Sequence, residues 1–390
     1  MLSGYFLGGG NVQRKSEWLI PRRERRPVKI FRQGFGEGEG LDSMSLFRAC
    51  GGAGVGRFLL CLAVSLPAWG AGGPALSAES LTVYSGRSQK LVERLFKAFT
   101  ERTGVRVRVR YAKTAALANQ LLEEGGRSPA DLFFAQDSGA LGAVAEKGLF
   151  RRLPNLLLEK VPAPFRSPRG DWIGLSGRAR VLSYTTTRLR ESDLPRSIFE
   201  LADPRWKGRI GLPPTNASFQ AFVTAMRVQV GDKRTLVWLK GLVANQAKYY
   251  AKNTPTVKAI ADGEIDVGLV NHYYLHRFLR KEGRKFPVRN YYFPNGDIGA
   301  LVNVSGAGIL KSSRKAGLAE RFLGFALLET GQEIFVRGNH EYPVAKGFRV
   351  DPALGLRNLR SIRTPIMDLG RLTDMRGTVR LLQKAGMLLE

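Results

Sequence analysis

Cysteine is almost missing from this 390-residue chain: only Cys50 and Cys61 occur. Both fall in a segment that reads as removable. That excludes a disulfide framework and a thiolate-ligated metal centre from the remainder. There is no Walker loop, no Gly-x-Gly-x-x-Gly at a strand-to-helix turn, no Cys-x-x-Cys and no Gly-x-Ser-x-Gly elbow, so the common nucleotide-binding and nucleophile motifs are absent. No apolar run is long enough to anchor the chain across a bilayer. Acidic residues are also short, at 33 against 61 Lys and Arg, for a net charge of +28. Such a balance suits nucleic acid, an anionic surface or acidic small molecules, and its sign does not choose among them.

What is present is ordinary for a globular protein, with 44% hydrophobic and 24% charged residues and length for two sizeable cores. From Met44 the order is basic (Arg48, Arg57), apolar (Phe58 to Leu66) and small (Leu76-Ser77-Ala78), the order of a secretory signal peptide over residues 44–78. Residues 1–43, with "PRRERRPVKIFRQGFGEGEG", show no periodicity and read as disordered or upstream of the true start; a basic nucleic-acid-binding arm is the alternative. Past residue 78 the chain keeps 51 basic against 28 acidic residues, a net of +23. The basic character therefore belongs to the exported part as well.

That part repeats one plan: a short apolar run, a polar loop, then an amphipathic helical pattern. In "LTVYSGRSQKLVERLFKAFTERTG", Leu81 to Tyr84 predicts a strand, and Leu91, Val92, Leu95, Phe96 and Phe99 share a helical face that Gly104 ends. "VRVRVRY" alternates with period two, which turns Arg106, Arg108 and Arg110 outward on a sheet edge or face. Asp131 to Ala135 predicts a buried strand, with Ser138 capping the next helix. Ile210 to Leu212 precedes a helix from about Ala217, and "VGLVNHYYLHRF" carries a strand into a helix near Tyr273. Alternating strands and helices imply mostly parallel sheets covered on both sides, with ligands beyond the carboxyl ends of the strands, where helix amides are free.

Three adjacent tyrosine pairs stand out. Within strands, neighbours point to opposite faces, so Tyr249-Tyr250 and Tyr291-Tyr292 read as structural. Tyr273 and Tyr274 sit at a strand-to-helix junction, where both phenols are free to face the cleft. Packing alone is one reading of them. The other is a trivalent cation, a hard ion that takes oxygen donors and lowers the pKa of what it binds. His272 and His276, four apart, read as a surface pair, with a shared metal as the alternative. His340 has no companion in the sequence and reads as structural.

With these segments in hand, the chain resembles the ferric-iron-binding periplasmic substrate-binding proteins of ABC transporters. The motifs that carry the resemblance include "LTVYSGRSQKLVE", "SPADLFFAQDSGALG", "WIGLSGRARVLSY", "DPRWKGRIGLPPTNASFQAFV", "IADGEIDVGLVNHYY" and "EYPVAKG". The resemblance implies an α/β fold of two lobes (type II), each a mostly parallel sheet flanked by helices, with ligand in the interlobe cleft. It implies lobe 1 at 79–178 and 303–350 and lobe 2 at 179–302 and 351–390, with crossings near Arg178 to Arg180 and Val302 to Val304. It makes Tyr273 and Tyr274 the central iron ligands. Asn216, Ala217, Ser218, Asn253, Asn271 and Arg178 match positions around a co-bound anion, and Arg87 is a further candidate host. Where some members of the family have a histidine and a glutamate, this chain has Ser88 and Gln136, which are kept as metal or cleft candidates. Charge counting then calls for carbonate, phosphate or citrate to complete the shell. The implied protein is a monomeric, non-catalytic periplasmic carrier of Fe3+ or a ferric chelate. Its partner would be an inner-membrane permease, with no nucleic acid and no stable membrane insertion. Two rivals remain: a carrier of an anion such as a phosphonate or thiosulfate, and a metal-dependent hydrolase using His272 and His276.

Overall fold

Local periodicity and local structure agree over the first unit of the fold. The computed structural model describes residues 79–389; residues 1–43, the signal peptide expected at 44–78 and both cysteines lie outside the described residues. Strand β1 (Ser80–Ser85) leads into α1 (Gln89–Thr103), which buries Val92, Leu95, Phe96 and Phe99 and stops at Gly104 in the left-handed region (φ 73°). β2 (Arg106–Tyr111) is the edge strand, with its arginines outward. α2 (Thr114–Glu124), the fully buried β3 (Leu132–Ala135), α3 (Ser138–Glu146) and the short α4 (Asn155–Leu158) follow. The cap of α3 is Asp137, whose carboxylate accepts from the Ala140 amide at 3.1 Å, and not Ser138 as predicted. Ser138 Oγ is drawn away to Asn303 Oδ1 at 2.8 Å, a partner distant in sequence.

β4 (Ile173–Thr185) is buried along all 13 residues. Then come β5 (Ile210–Leu212), α5 (Ala217–Ala244, kinked at Gly231), β6 (Lys248–Tyr249), α6 (Asn253–Ala261), β7 (Val267–Asn271), α7 (Tyr273–Glu282) and β8 (Val288–Tyr291). β9 (Val302–Ile309), α8 (Ala316–Ala326), α9 (Glu329–Asn339), β10 (Tyr342–Pro343) and α10 (Met375–Lys384) complete the fold.

The strand order is β2-β1-β3-β9-β4-β7-β5-β6. β1 runs parallel to β2 and β3, and β5 runs parallel to β6 and β7, as the strand–helix alternation predicts. The long strands differ: β9 is antiparallel to β3, and β4 is antiparallel to β9, β7, β8 and β10. A strand returning through a long excursion has no parallel constraint, and this excursion has no local signature. The partner of β4 changes within three residues: Arg178 and Ala179 face Asn303 and Val302 of β9, whereas Arg180 faces Asn271 of β7. One strand thereby joins both sets of βα units. At the carboxyl end, residues 369–371 pack on α3, whose Gly139 and Gly142 leave no room for a Cβ against the carbonyls of Leu372 and Gly370. α10 packs on α5 through Thr224–Thr378 at 2.7 Å and the Arg227–Asp374 ion pair at 2.9 Å.

Candidate functional site

Three strand-to-helix junctions converge on one cavity of about 140 Å³: β3 to α3, β5 to α5 and β7 to α7. Gln136 and Asp137 come from the first, Asn216, Ala217 and Ser218 from the second, and Asn271, Tyr273 and Tyr274 from the third. Arg178 and Arg180 of β4 add two cations to the wall. Three helix starts and two guanidinium groups, set against the single carboxylate of Asp137, make the cavity electropositive, a setting that favours bound anions and ionised phenols.

Tyr273 and Tyr274 lie side by side, with ring centroids 4.5 Å apart at 30°. The guanidinium of Arg277 covers both rings, at 5.4 and 4.8 Å. Burial, reinforced by the neighbouring Tyr273, holds the Tyr274 phenol above its ordinary pKa, while Arg277 and Asn253 pull it down. Tyr274 without a bound cation is therefore a neutral phenol at physiological pH.

Arg178 and Arg180 are both at least 96% buried, and neither has a carboxylate partner among the described residues. Arg178 donates to the carbonyl of Gln136 and Arg180 to that of Ser218, yet the Nε of each is buried with no acceptor. Burial pushes Arg180 down to about 9, which still leaves it charged at neutral pH. Two buried cations with unspent donors are costly unless an anion completes them.

The chain's residues 127–361 match the model of a family described as bacterial extracellular solute-binding proteins. The major ferric iron-binding protein of Neisseria meningitidis is 36% identical over 320 residues, which cover 80% of this chain and 94% of that protein. The Fe(3+)-binding periplasmic protein of Serratia marcescens is 35% identical, with 81% of this chain and 94% of that protein covered. Iron-bound HitA from Pseudomonas aeruginosa superposes with a TM-score of 0.71 at 36% identity, covering 79% of this chain and 99% of that one. Trichodesmium FutA, solved with iron and citrate, gives a TM-score of 0.69 at 29% identity over 79% and 100% of the two chains.

The chain belongs to the bacterial extracellular solute-binding protein family.

In this solute-binding protein the α/β fold has the two-lobed architecture of its structural relatives. Not every residue singled out from the sequence reaches its cavity. Gln136, Arg178, Asn216, Ala217, Ser218, Asn271, Tyr273 and Tyr274 line it. Asn253 stands just behind, fully buried, its amide donating to Asn216 Oδ1 at 3.2 Å. Ser88 is exposed ahead of α1 and off the cavity. Arg87 is not free to serve as an anion host: it is 1% exposed and ion-paired to Glu341 at 2.6 Å, and its other terminal nitrogen donates to Gln136 Oε1 at 3.1 Å. The partner that holds it lies 254 residues away.

The histidines depart most from expectation. His272 and His276 are buried, not a surface pair, because both pack behind the cavity wall. His272 accepts from the Ala179 amide at 3.1 Å through Nδ1, and its Nε2 donates to the His340 carbonyl at 2.7 Å. With both ring nitrogens spent, it has no lone pair for a metal, which removes the basis of the hydrolase reading. Burial pushes its pKa down to about 3 and that of His276 to about 4. His340 does have a companion: its ring stacks on His276 at 4.9 Å.

The other two tyrosine pairs stay off the cavity. Tyr250 bonds Glu264 at 2.9 Å, and Tyr292 shares a 2.7 Å hydrogen bond with Tyr342. Sequence reasoning missed Arg180 and Asp137. The signal for Arg180 was available: two residues beyond Arg178 on one strand, it must share that residue's face.

Proposed function

We propose that this protein is an exported carrier of Fe3+, or of a ferric–anion chelate, that delivers its cargo to an inner-membrane ABC permease, with residues 44–78 as its signal peptide. Tyr273 and Tyr274 bind the ion as phenolates. One observation carries the reading: two phenols 4.5 Å apart at a helix start, their rings tilted by 30°, opening into a cavity with two buried arginines that lack acid partners. A trivalent ion displaces the phenolic protons, since its charge outweighs the burial that keeps them on. Two phenolates leave the ion at net plus one, and carbonate, phosphate or citrate seated on Arg178, Arg180, Asn271 and the start of α5 completes the shell. The lobes, taken as 79–178 with 303–350 and 179–302 with 351–390, close over it about β4 and β9 as a hinged clamp. The protein itself leaves its cargo chemically unchanged, so this reading makes it a carrier and not an enzyme. Opening at the permease, acid or reduction to the softer ferrous ion releases the cargo.

The ferric relatives in Neisseria and Serratia and the iron-bound structural relatives support this reading. The unpartnered Nε atoms of Arg178 and Arg180 favour one rival, an anion alone as cargo. Titration of apo protein with ferric nitrilotriacetate in weak buffer separates the two. The ferric carrier develops a red-to-purple phenolate charge-transfer band and releases protons in step with it. A protein that stays colourless while binding phosphate is an anion carrier.

A further inference from the structure

Asp137 is the one carboxylate among the residues lining the cavity. It stands on the α3 side, whereas Tyr273 and Tyr274 stand on the α7 side. Its Oδ1 caps α3 by accepting from the Ala140 amide at 3.1 Å. Oδ2 has no hydrogen bond or ion pair among the described residues, and a carboxylate keeps lone pairs on both oxygens.

The residue beside it cannot do the same work. Arg87 has only donors, so the 3.1 Å contact turns the oxygen of Gln136 toward Arg87 and leaves the NH2 half of the amide for the cavity. The orientation is held from behind. Arg87 is paired with Glu341 at 2.6 Å, and the second oxygen of Glu341 accepts from Ser176 Oγ at 2.6 Å. Gln136 thus presents a donor, suited to an anion's oxygen and unable to ligate a cation. With Ser88 exposed and off the cavity, the α3 wall offers an anionic oxygen only at Asp137.

We propose that Asp137 Oδ2 is a third anionic ligand of the cargo ion, supplied across the cavity from the two tyrosines. The assignment rests on the ferric reading and deepens it. Two phenolates and one carboxylate carry three negative charges, which balance Fe3+ within the protein. The exogenous anion then answers to Arg178, Arg180 and the Gln136 amide, and fills coordination positions without being needed for charge. An ion held from both walls also ties α3 to α7, so metal capture and closure become one event.

Asp137→Asn tests this while sparing the fold, because asparagine caps helices as well as aspartate and retains an oxygen for the Ala140 amide. Asp137→Ser, which also caps, is the second variant. The thermal midpoint of each apo variant checks that the fold is kept. Without added carbonate, phosphate or citrate, competition against nitrilotriacetate should show ferric affinity reduced on the order of tenfold or more in both variants. The charge-transfer band should move to longer wavelength, since an ion with fewer anionic donors is more electron-poor. Added carbonate should recover more affinity in the variants than in the wild type. A coloured wild type with variants matching it in affinity, band position and anion response overturns the assignment alone. A wild type that never develops the band overturns the ferric reading and the assignment with it.

Discussion

The tyrosine pair that opens α7 and the pair that closes β8 are spelled alike, and the backbone beneath them sends them to different ends. At Tyr291-Tyr292 the strand ends with no helix behind it, and the Tyr292 hydroxyl shares a 2.7 Å hydrogen bond with the Tyr342 hydroxyl. At Tyr273-Tyr274 the strand has ended, the helix has begun, and both rings stay within 4.5 Å of each other on the cavity side. His272 makes that difference possible. Held between the Ala179 amide and the His340 carbonyl, it pins the last turn of backbone before the phenols. It also stacks on Tyr342 at 4.2 Å, so the tyrosine contact of the second pair lies beneath the residue that precedes the first. Identical dipeptides thus teach nothing about role until the secondary structure at their second residue is known.

The largest effect that would break the comparison comes from exchanging phenol for phenyl at each pair. Tyr273→Phe with Tyr274→Phe should abolish the charge-transfer band and lower ferric affinity by orders of magnitude, with little change in urea midpoint. Tyr291→Phe with Tyr292→Phe should keep colour and affinity but cost about 1–3 kcal/mol of stability, because the fully buried Tyr342 hydroxyl loses its partner. Equal iron binding by the two double variants would erase the distinction.

Much of this contrast is legible in the amino-acid sequence itself, and the part that is not has a common cause. The βα units announce themselves because strand alternation and helical spacing are local, and the phenols at Tyr273 and Tyr274 stand out for the same reason. What stays hidden depends on partners far along the chain. Arg87 has the look of a free loop cation, but Glu341 holds it from 254 residues away. His272 and His276 have the spacing of a surface pair, and α7 buries them against the His340 loop. Ser138 stands where a cap belongs, but Asn303 claims its hydroxyl. The antiparallel run of β4 against five-residue β7 and eight-residue β9 has no counterpart in local periodicity either. Charge, capping and burial are decided by tertiary neighbours, and polar residues are where that decision shows.

A smaller effect should appear in acid, through the histidines that separate the pairs. In the unfolded chain both titrate near the ordinary value of about 6.5, whereas burial holds His272 to about 3 and His276 to about 4 in the native protein. Below pH about 6.5 the unfolded state takes up protons that the native state refuses. Their contribution to stability is therefore complete above that pH and is lost as pH falls toward the native values. Urea midpoints of apo protein should fall between pH 7 and 5, before most carboxylates titrate, and His272→Gln should flatten that slope. A midpoint that holds steady over the interval would mean these rings accept protons while folded.

The smallest effect tests what the two pairs still share, an arginine over the rings. Arg277 lies 4.8 Å from the Tyr274 centroid and Arg357 lies 5.2 Å from that of Tyr292. Each cation favours the ionised form of its phenol, since Arg277 lowers Tyr274 and Arg357 lowers Tyr292 against the burial that raises both. Of Tyr274 and Tyr292, only Tyr274 is proposed to surrender its proton, so only Arg277 should matter to iron. Because Arg277 is exposed, water and salt screen most of its field. Arg277→Gln should weaken ferric binding by about two- to fivefold, an exposed charge being worth at most about 1 kcal/mol, and the deficit should shrink at high ionic strength. Arg357→Gln should leave ferric affinity where it was. If both substitutions weakened it equally and independently of salt, the arginines would be acting through packing, and the ionisation that divides one pair from the other would need a different source.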